Sequence, residues 1–319
     1  MIRNRVAILA LALIAAALPA GAQTKLRFGK GFPTLFQFTP VDVGVAQGIF
    51  AQYGLDIDVS AFTGDAKLQQ AIAAGAIDMG IGSGPGLAFI AKGAPAMGVA
   101  EAAGPPLGIT LGVLADSPFK TIADLKGQKI TGATVGDQTQ WMVRELSRLQ
   151  GWGPEGFVFV PLGAPEAQIA AIATHEVAAV PFDITTAYLL ESRGQIRVLL
   201  KFGDLIKDYV NHVIFASNAM IEKRPDDVRR FLAGWFNSVA YFKAHQAESV
   251  AIAAQVLDRP EPLMAKVYDE AVRMITDDGH FDPKGLAVLR QSFVEMEMLP
   301  EVPDMAALYT ERYLPPRMK

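Results

Sequence analysis

Residues 71–86 read AIAAGAIDMGIGSGPG, and this stretch decides the fold class. Residues 71–73 close a helix that opens at Asp65, Gly75 stops it, and 77–81 is an apolar run of strand length. Residues 82–86 then turn the chain into a further helix that ends near Gly93. A helix, a strand, a glycine-rich turn and a helix are the punctuation of an α/β protein. Later in the chain Ala171, Ile172 and Ala173 precede His175 and Val177 in the same order. Two copies are too few for a solenoid, and they read as one unit in each of two similar lobes.

The alternation extends outward from both copies. In the first series, 26–29 reads as a strand and Thr39 caps a helix with Pro40 at its first position, running to about Tyr53 and stopped by Gly54. Leu55, Ile57 and Val59 alternate with Asp56 and Asp58 as a second strand, and 97–100 is another. The second series predicts strands over 109–114, 129–131, 157–160, 177–180 and 196–200. Its helices fall at 121–126, 139–150, 165–173 and 184–192. A strand returns at 213–216, and everything after Pro225 reads as helical.

Composition narrows the function classes. With 51% hydrophobic and 19% charged residues the chain is too apolar to be disordered, and its 319 residues suffice for two domains. A net charge of −4 provides no basic surface for nucleic acid. Beyond residue 20 no apolar run approaches the roughly 20 residues of a spanning helix, so the chain does not read as membrane-embedded. Arg3 and Arg5, an apolar stretch over 6–18, Pro19, and the small residues Ala20, Gly21 and Ala22 read as a signal peptide, 1–22, cleaved after Ala22. There is no cysteine, which excludes thiolate metal sites, cysteine nucleophiles and lipid attachment through an N-terminal cysteine. The expectation is an exported, unattached protein, periplasmic in a two-membrane bacterium.

Motifs for catalysis and cofactors are missing. His175, His212, His245 and His280 are too far apart to form a local zinc pair. Ser83 lies between Gly82 and Gly84, but Ile81 and Pro85 do not complete a nucleophile elbow. Gly80, Gly82, Gly84 and Gly86 follow a strand, yet Pro85 occupies the position of the third dinucleotide-loop glycine. No phosphate-loop lysine occurs, and neither a cofactor nor a metal is expected.

The informative features are strand-to-helix junctions. In open α/β sheets ligands bind beyond the carboxyl ends of strands, where helix starts point N–H groups into the crevice. Gly82, Ser83 and Gly84 form one junction. Residues 134–139, including Gly136, Asp137 and Thr139, form another, ahead of the helix carrying Gln140 and Trp141. Each also fits ordinary turn and cap chemistry, but one per lobe is what a two-lobed cleft requires. Phe32, Phe36, Gln37 and Phe38 lie in a loop, where Phe36 or Phe38 is a cleft wall or a cover for the core and Gln37 a donor to solute. Trp141 reads as a stacking residue. Asp183 reads as a helix cap or as an acceptor for a solute N–H or hydroxyl. Asn211 and His212 precede the returning strand and could line a hinge, and Lys30 reads as a solvated lysine or an attractor for a carboxylate.

Three stretches resemble a known family. Residues 41–59 (VDVGVAQGIFAQYGLDIDV), 71–82 (AIAAGAIDMGIG) and 116–130 (DSPFKTIADLKGQKI) are similar to the alkanesulfonate, taurine, nitrate and thiamine-precursor binding proteins of bacterial ABC importers. The resemblance implies a class II periplasmic-binding-protein fold, α/β, with two lobes hinged by two crossover strands. Lobe 1 would comprise 23–110 and 214–319, and lobe 2 would comprise 111–213. It further implies a monomeric solute-binding subunit that closes on a small organic solute, heteroaromatic, aromatic or sulfonate-type. That subunit does no chemistry and docks on an ABC permease with its ATPase. A lyase or synthase on the same fold and a sensing module for a membrane receptor are the alternatives. His175 departs from the family pattern where Gly is usual, and Ala178 departs where Asp is usual. The Gly position needs positive φ, which His tolerates. Asp137 stands where oxyanion-binding relatives carry Ser or Thr, and a carboxylate there would repel a sulfonate.

Overall fold

The computed structural model describes residues 23–133 and 137–316, so the signal-peptide reading of 1–22 and the candidate Gly136, with Thr134 and Val135, lie outside the described residues. In chain order the first segment holds β1 (Thr24–Lys30), α1 (Pro40–Ala46), α2 (Ile49–Gln52), β2 (Leu55–Ala61), α3 (Asp65–Ala73), β3 (Met79–Ser83), α4 (Leu87–Ala91) and β4 (Ala96–Ala103). The middle segment holds β5 (Ile109–Leu114), β6 (Lys129–Gly132), α5 (Gln138–Leu149), β7 (Val158–Pro161), α6 (Pro165–Ala173), β8 (Val180–Asp183), α7 (Ile184–Ser192) and β9 (Ile196–Lys201). The last holds β10 (His212–Ser217), α8 (Asn218–Lys223), α9 (Pro225–Ala244), α10 (Gln246–Leu257), α11 (Glu261–Ala271) and α12 (Pro283–Glu295).

Two sheets share one plan. In the first lobe the strand order is β2-β1-β3-β10-β4, with β1 parallel to β2 and β3, and β10 antiparallel to both of its neighbours. In the second lobe β6 pairs parallel with β7, and a bridge from Ile130 to Ala179 carries that pair onto β8-β5-β9. The resulting order, β7-β6-β8-β5-β9, repeats the first. In each sheet the antiparallel fourth strand is the one that has just crossed from the other lobe, β5 by way of 104–108 and β10 by way of 202–211.

The repeat reaches single hydrogen bonds. After α3, the N–H groups of Gly75 and Ala76 donate to the carbonyls of Ile72 and Ala71; after α6, those of His175 and Glu176 donate to Ile172 and Ala171. Both ends are left-handed caps with the same bond pattern, which turns the helix sharply into a strand. Gly75 has φ 69° and His175 φ 60°, so histidine does occupy a backbone conformation that suits glycine. The next strands start alike, with Asp78 N–H donating to Arg27 and Ala178 N–H to Lys129. In the first lobe the Asp78 carboxylate also accepts from Arg27 Nε (3.1 Å), Nη2 (2.6 Å) and backbone N–H (2.9 Å); burial pushes its pKa upward, and these bonds hold it below the usual range. Asp78 is thus a structural residue, and Ala178 leaves Lys129 without that partner.

Packing joins the lobes through the C-terminal helices. α9 lies beneath the first sheet, where Phe231 stacks on Phe28 at 4.9 Å and on Phe50 at 5.4 Å. α11 reaches the second lobe, where Lys266 pairs with Glu191 at 3.1 Å and covers the Tyr188 ring at 3.8 Å. The expected single helix after Thr39 is two, because Gly48 turns left-handed at φ 64° between α1 and α2. Thr39 donates its hydroxyl to the Phe36 carbonyl (2.7 Å) instead of capping by side chain. Among the described residues no helix is long and apolar enough to cross a membrane.

The paired caps make a direct test of backbone strain. A Cβ on Gly75 meets nothing within 4 Å, so Gly75→Ala should cost about 1 kcal/mol from conformation alone. His175→Gly should hold or raise stability, because it relieves the same strain. Thermal melts of the two variants check both signs.

Candidate functional site

The carboxyl ends of the parallel strands in both lobes point toward the crossings, and the junction residues converge there. At the end of β3, Ser83 donates its N–H to Asp65 Oδ1 (2.9 Å) and its hydroxyl to Asp65 Oδ2. Asp65 is the first residue of α3, and burial pushes its pKa up to about 6 although the Ser83 bonds favour the ionised form. Gly84 N–H donates to the Asn211 carbonyl at 2.9 Å. A Cβ at Gly84 would stand 2.0 Å from the Val210 carbonyl oxygen, so only glycine lets the second crossing lie this close.

Asn211 ties the two crossings to the second lobe. It is wholly buried, and its backbone N–H donates to Ala103, the last residue of β4, at 3.0 Å. Its side chain accepts from Gln138 Nε2 at the start of α5 and faces His212 Nδ1 at 3.1 Å. With the Asn211 amide nitrogen as donor, Nδ1 of His212 is the acceptor and Nε2 carries the proton. His212 pairs in register with Ser83, meets the Phe38 ring edge-on at 4.8 Å, and is kept neutral by burial, which lowers its pKa to about 3.

On the second lobe Asp137 caps α5, accepting from the backbone of Gln140 (2.9 Å) and the hydroxyl of Thr139 (2.7 Å). Asp183 caps α7 in the same way, taking the N–H groups of Thr185 and Thr186, each at 3.1 Å. Burial raises the Asp183 pKa, with the bonds from Thr186 and Thr185 and the charge of Arg259 pulling the other way. Ile184 N–H donates to the Gly108 carbonyl at 2.8 Å, and a Cβ on Gly108 would lie 3.4 and 3.5 Å from the two amide atoms of Gln37. Gln37, 2% exposed, therefore shares a corner with Asp183 and Thr185, and its Nε2 and the Thr185 Oγ1 are buried without partners.

Several candidates have other occupations. Phe36 is in the core, packed on Phe242 at 5.4 Å and Tyr268 at 6.0 Å. Lys30 is not solvated; it is buried in an ion pair with Asp42 at 2.9 Å. Trp141 is 2% exposed, with its ring stacked on Tyr209 at 4.8 Å and its Nε1 donating to Glu295 of α12 at 2.8 Å. Arg148 joins the same carboxylate at 2.9 Å. The stacking expected of Trp141 exists, but its partner is the chain's own crossing. Asp65, Tyr209 and Glu295 escaped the reading of the sequence, since each acts through a residue distant in the chain; Thr185, two residues from Asp183, escaped it as part of an ordinary helix cap. Only the position of Asp65 at a helix start was a signal.

Two surface cavities, about 530 and 310 Å³, lie at the other edge of the sheets. Lys129, His175 and Ala178 line one, and Arg27, Gly75 and Asp78 the other. They are by-products of the repeated caps at the amino ends of the strands, and ligands of such sheets bind at the carboxyl ends.

Comparison with known proteins identifies the family and the fold. Residues 35–249 match the family described as NMT1/THI5 like. A protein of Brucella abortus (strain 2308) that carries the provisional name of a binding protein is 26% identical over 215 residues, 66% of this chain; the match spans 65%, just under two thirds, of that relative's own length. The structure is similar to that of the periplasmic aliphatic sulphonate binding protein SsuA from Escherichia coli, with a TM-score of 0.76 and 22% identity over 92% of this chain and 94% of that one. It is also similar to a mutant of the desulfurization enzyme DszB in complex with biphenyl-2-sulfinic acid, at a TM-score of 0.69 and 15% identity over 91% and 97%. The fold is thus the two-lobed α/β fold of periplasmic binding proteins.

Trp141 yields the sharpest check on this site. Trp141→Ala should lower stability by about 3–5 kcal/mol, as for other buried tryptophans. Trp141→Phe keeps the stack on Tyr209 and loses the bond to Glu295, about 1.5–3 kcal/mol for a bond to a charged group. Denaturant melts should rank wild type, Phe and Ala in that order.

Proposed function

The chain belongs to the NMT1/THI5-like family, and from that premise we propose that it is the extracytoplasmic solute-binding subunit of an ABC importer. It would capture a small organic solute with a flat or apolar part and polar groups, close on it by hinge motion, and present the closed form to a permease with its ATPase. The observation that carries this is the hydrogen-bonded relay from Gly84 through Asn211 to Gln138. It brings a junction from each lobe to one place beside both crossings.

The division into 23–110 with 214–319 and 111–213 suits such a motion, since 104–108 and 202–211 are the covalent links between the sheets. Residues 1–22 as a cleaved signal would deliver the chain, unlipidated and monomeric, to the periplasm. Within the cleft, Gln37, Phe38, Ser83, Thr139, Gln140, Asp183 and His212 are the side chains we assign to the surroundings of the solute, with Gly84 beside them; Gly136 is assigned from its place in the sequence alone. A reaction on the solute has little to work with here. No cysteine is present for thiol chemistry, and the carboxylates of Asp65 and Asp183 bind N–H groups of their own loops.

The purified protein, screened by thermal shift against small organic solutes and then by calorimetry, should give a binder that is recovered chemically unchanged. At a hundredfold excess over its Kd, such a ligand adds about 2.7 kcal/mol to stability. Conversion of the binder to a product would contradict the proposal.

A further inference from the structure

We propose that the solute is neutral or cationic and donates N–H groups, and that this cleft rejects sulfonates and other oxyanions; the inference rests on the cleft being a solute site, as proposed above. A helix start attracts an anion because its first N–H groups are free and its dipole end is positive. At the end of β3 and at the starts of α5 and α7, N–H groups are engaged. Asp65 holds the N–H and hydroxyl of Ser83, Asp137 holds the N–H of Gln140, and Asp183 holds those of Thr185 and Thr186. The Gly84 N–H is given to the Asn211 carbonyl. At Ser83, at the start of α5 and at the start of α7, an incoming oxyanion would have to displace a carboxylate of the chain.

The charges of both lobes add to this. Asp65 belongs to the first lobe and Asp137 to the second, and both act on one group: the Tyr209 hydroxyl, raised first by burial, is raised further by each of them. Of the cations nearby, Lys30 is consumed by Asp42, and Arg259, whose Nε is buried without a partner, acts on Asp183 through its charge alone. Burial already disfavours the charged forms of Asp65 and Asp183, so a further negative charge beside them would be worse and a positive one better. Polar capacity for a solute remains in the corner formed by Gln37, Gly108 and Thr185. There Gln37 Nε2 and Thr185 Oγ1, on residues each 2% exposed, lack partners. A solute with an acceptor for the amide and N–H groups for the carboxylates satisfies both. A sulfonate, which only accepts, satisfies one and opposes the other.

Three probes with the same ring and different heads test this: benzamidinium, benzamide and benzenesulfonate, titrated at millimolar concentrations into the purified protein by ligand-observed NMR. Benzamidinium should bind at least about tenfold more tightly than benzenesulfonate, with benzamide between. Asp137→Asn and Asp183→Asn keep a capping acceptor and remove a charge, and each should narrow that ratio severalfold. Benzenesulfonate binding as well as benzamidinium, or a ratio that both variants leave unchanged, would overturn the inference. Small molecules released from the denatured protein, identified by mass spectrometry, separate the two levels. An oxyanion among them overturns the charge preference and leaves solute capture standing. If no molecule is released and none of the probes binds, solute capture fails, and the inference with it.

Discussion

One buried amide, Asn211, carries the geometry on which the rest of the cleft depends. Its backbone N–H closes the second crossing onto the first at Ala103, and its carbonyl takes the Gly84 N–H from the β3 junction. Its side chain receives Gln138 from the other lobe and orders His212. A fully buried amide that lost these partners would cost about 1–3 kcal/mol for each group left unpaired, so the arrangement is strongly specified. Gly84 is part of the same constraint, because any side chain there would strike the Val210 carbonyl. If the lobes hinge as proposed, hinge and site are one structure, and a motion of the lobes would be felt at once by Ser83 and His212.

Around this point the protein repeats itself and then departs from the repeat. Both sheets receive an antiparallel strand from the opposite lobe, and both caps, at Gly75 and His175, use the same hydrogen bonds. The ion pair of Arg27 with Asp78 is kept in one lobe and lost in the other, where Lys129 stands beside Ala178. That loss lies at the far edge of the sheet and leaves the junctions alone. The departures on which the proposed charge preference rests are the carboxylates of Asp137 and Asp183, which cap the starts of α5 and α7.

Much of the fold was legible because its signals are local. Pro165 and Gly75, the alternation in β2, and the apolar run of β5 mark their elements without help from the rest of the chain. The echo of 71–77 at 171–177 was enough to expect two lobes, and His175 takes the positive φ that its place in the echo demanded. The site was only half legible. Ser83, Asp183 and His212 stand at junctions that turn chemistry reveals. Nothing near Trp141 in sequence reveals Tyr209 or Glu295, and nothing near Ser83 reveals Asp65. Phe36 and Phe38 looked alike as loop aromatics and both are buried in the core, and only tertiary packing sets one on Phe242 and the other against His212.

The chain has no cysteine, so a pair of spin labels can be placed without background. With labels on Gln70→Cys of α3 and Glu166→Cys of α6, both exposed and one on each lobe, pulsed electron–electron resonance reads the distance across the cleft. If the lobes hinge about Asn211 and grip a solute, adding the solute that co-purifies should shift the distribution to a shorter, narrower distance. A distribution that stays the same with and without that solute would contradict the account.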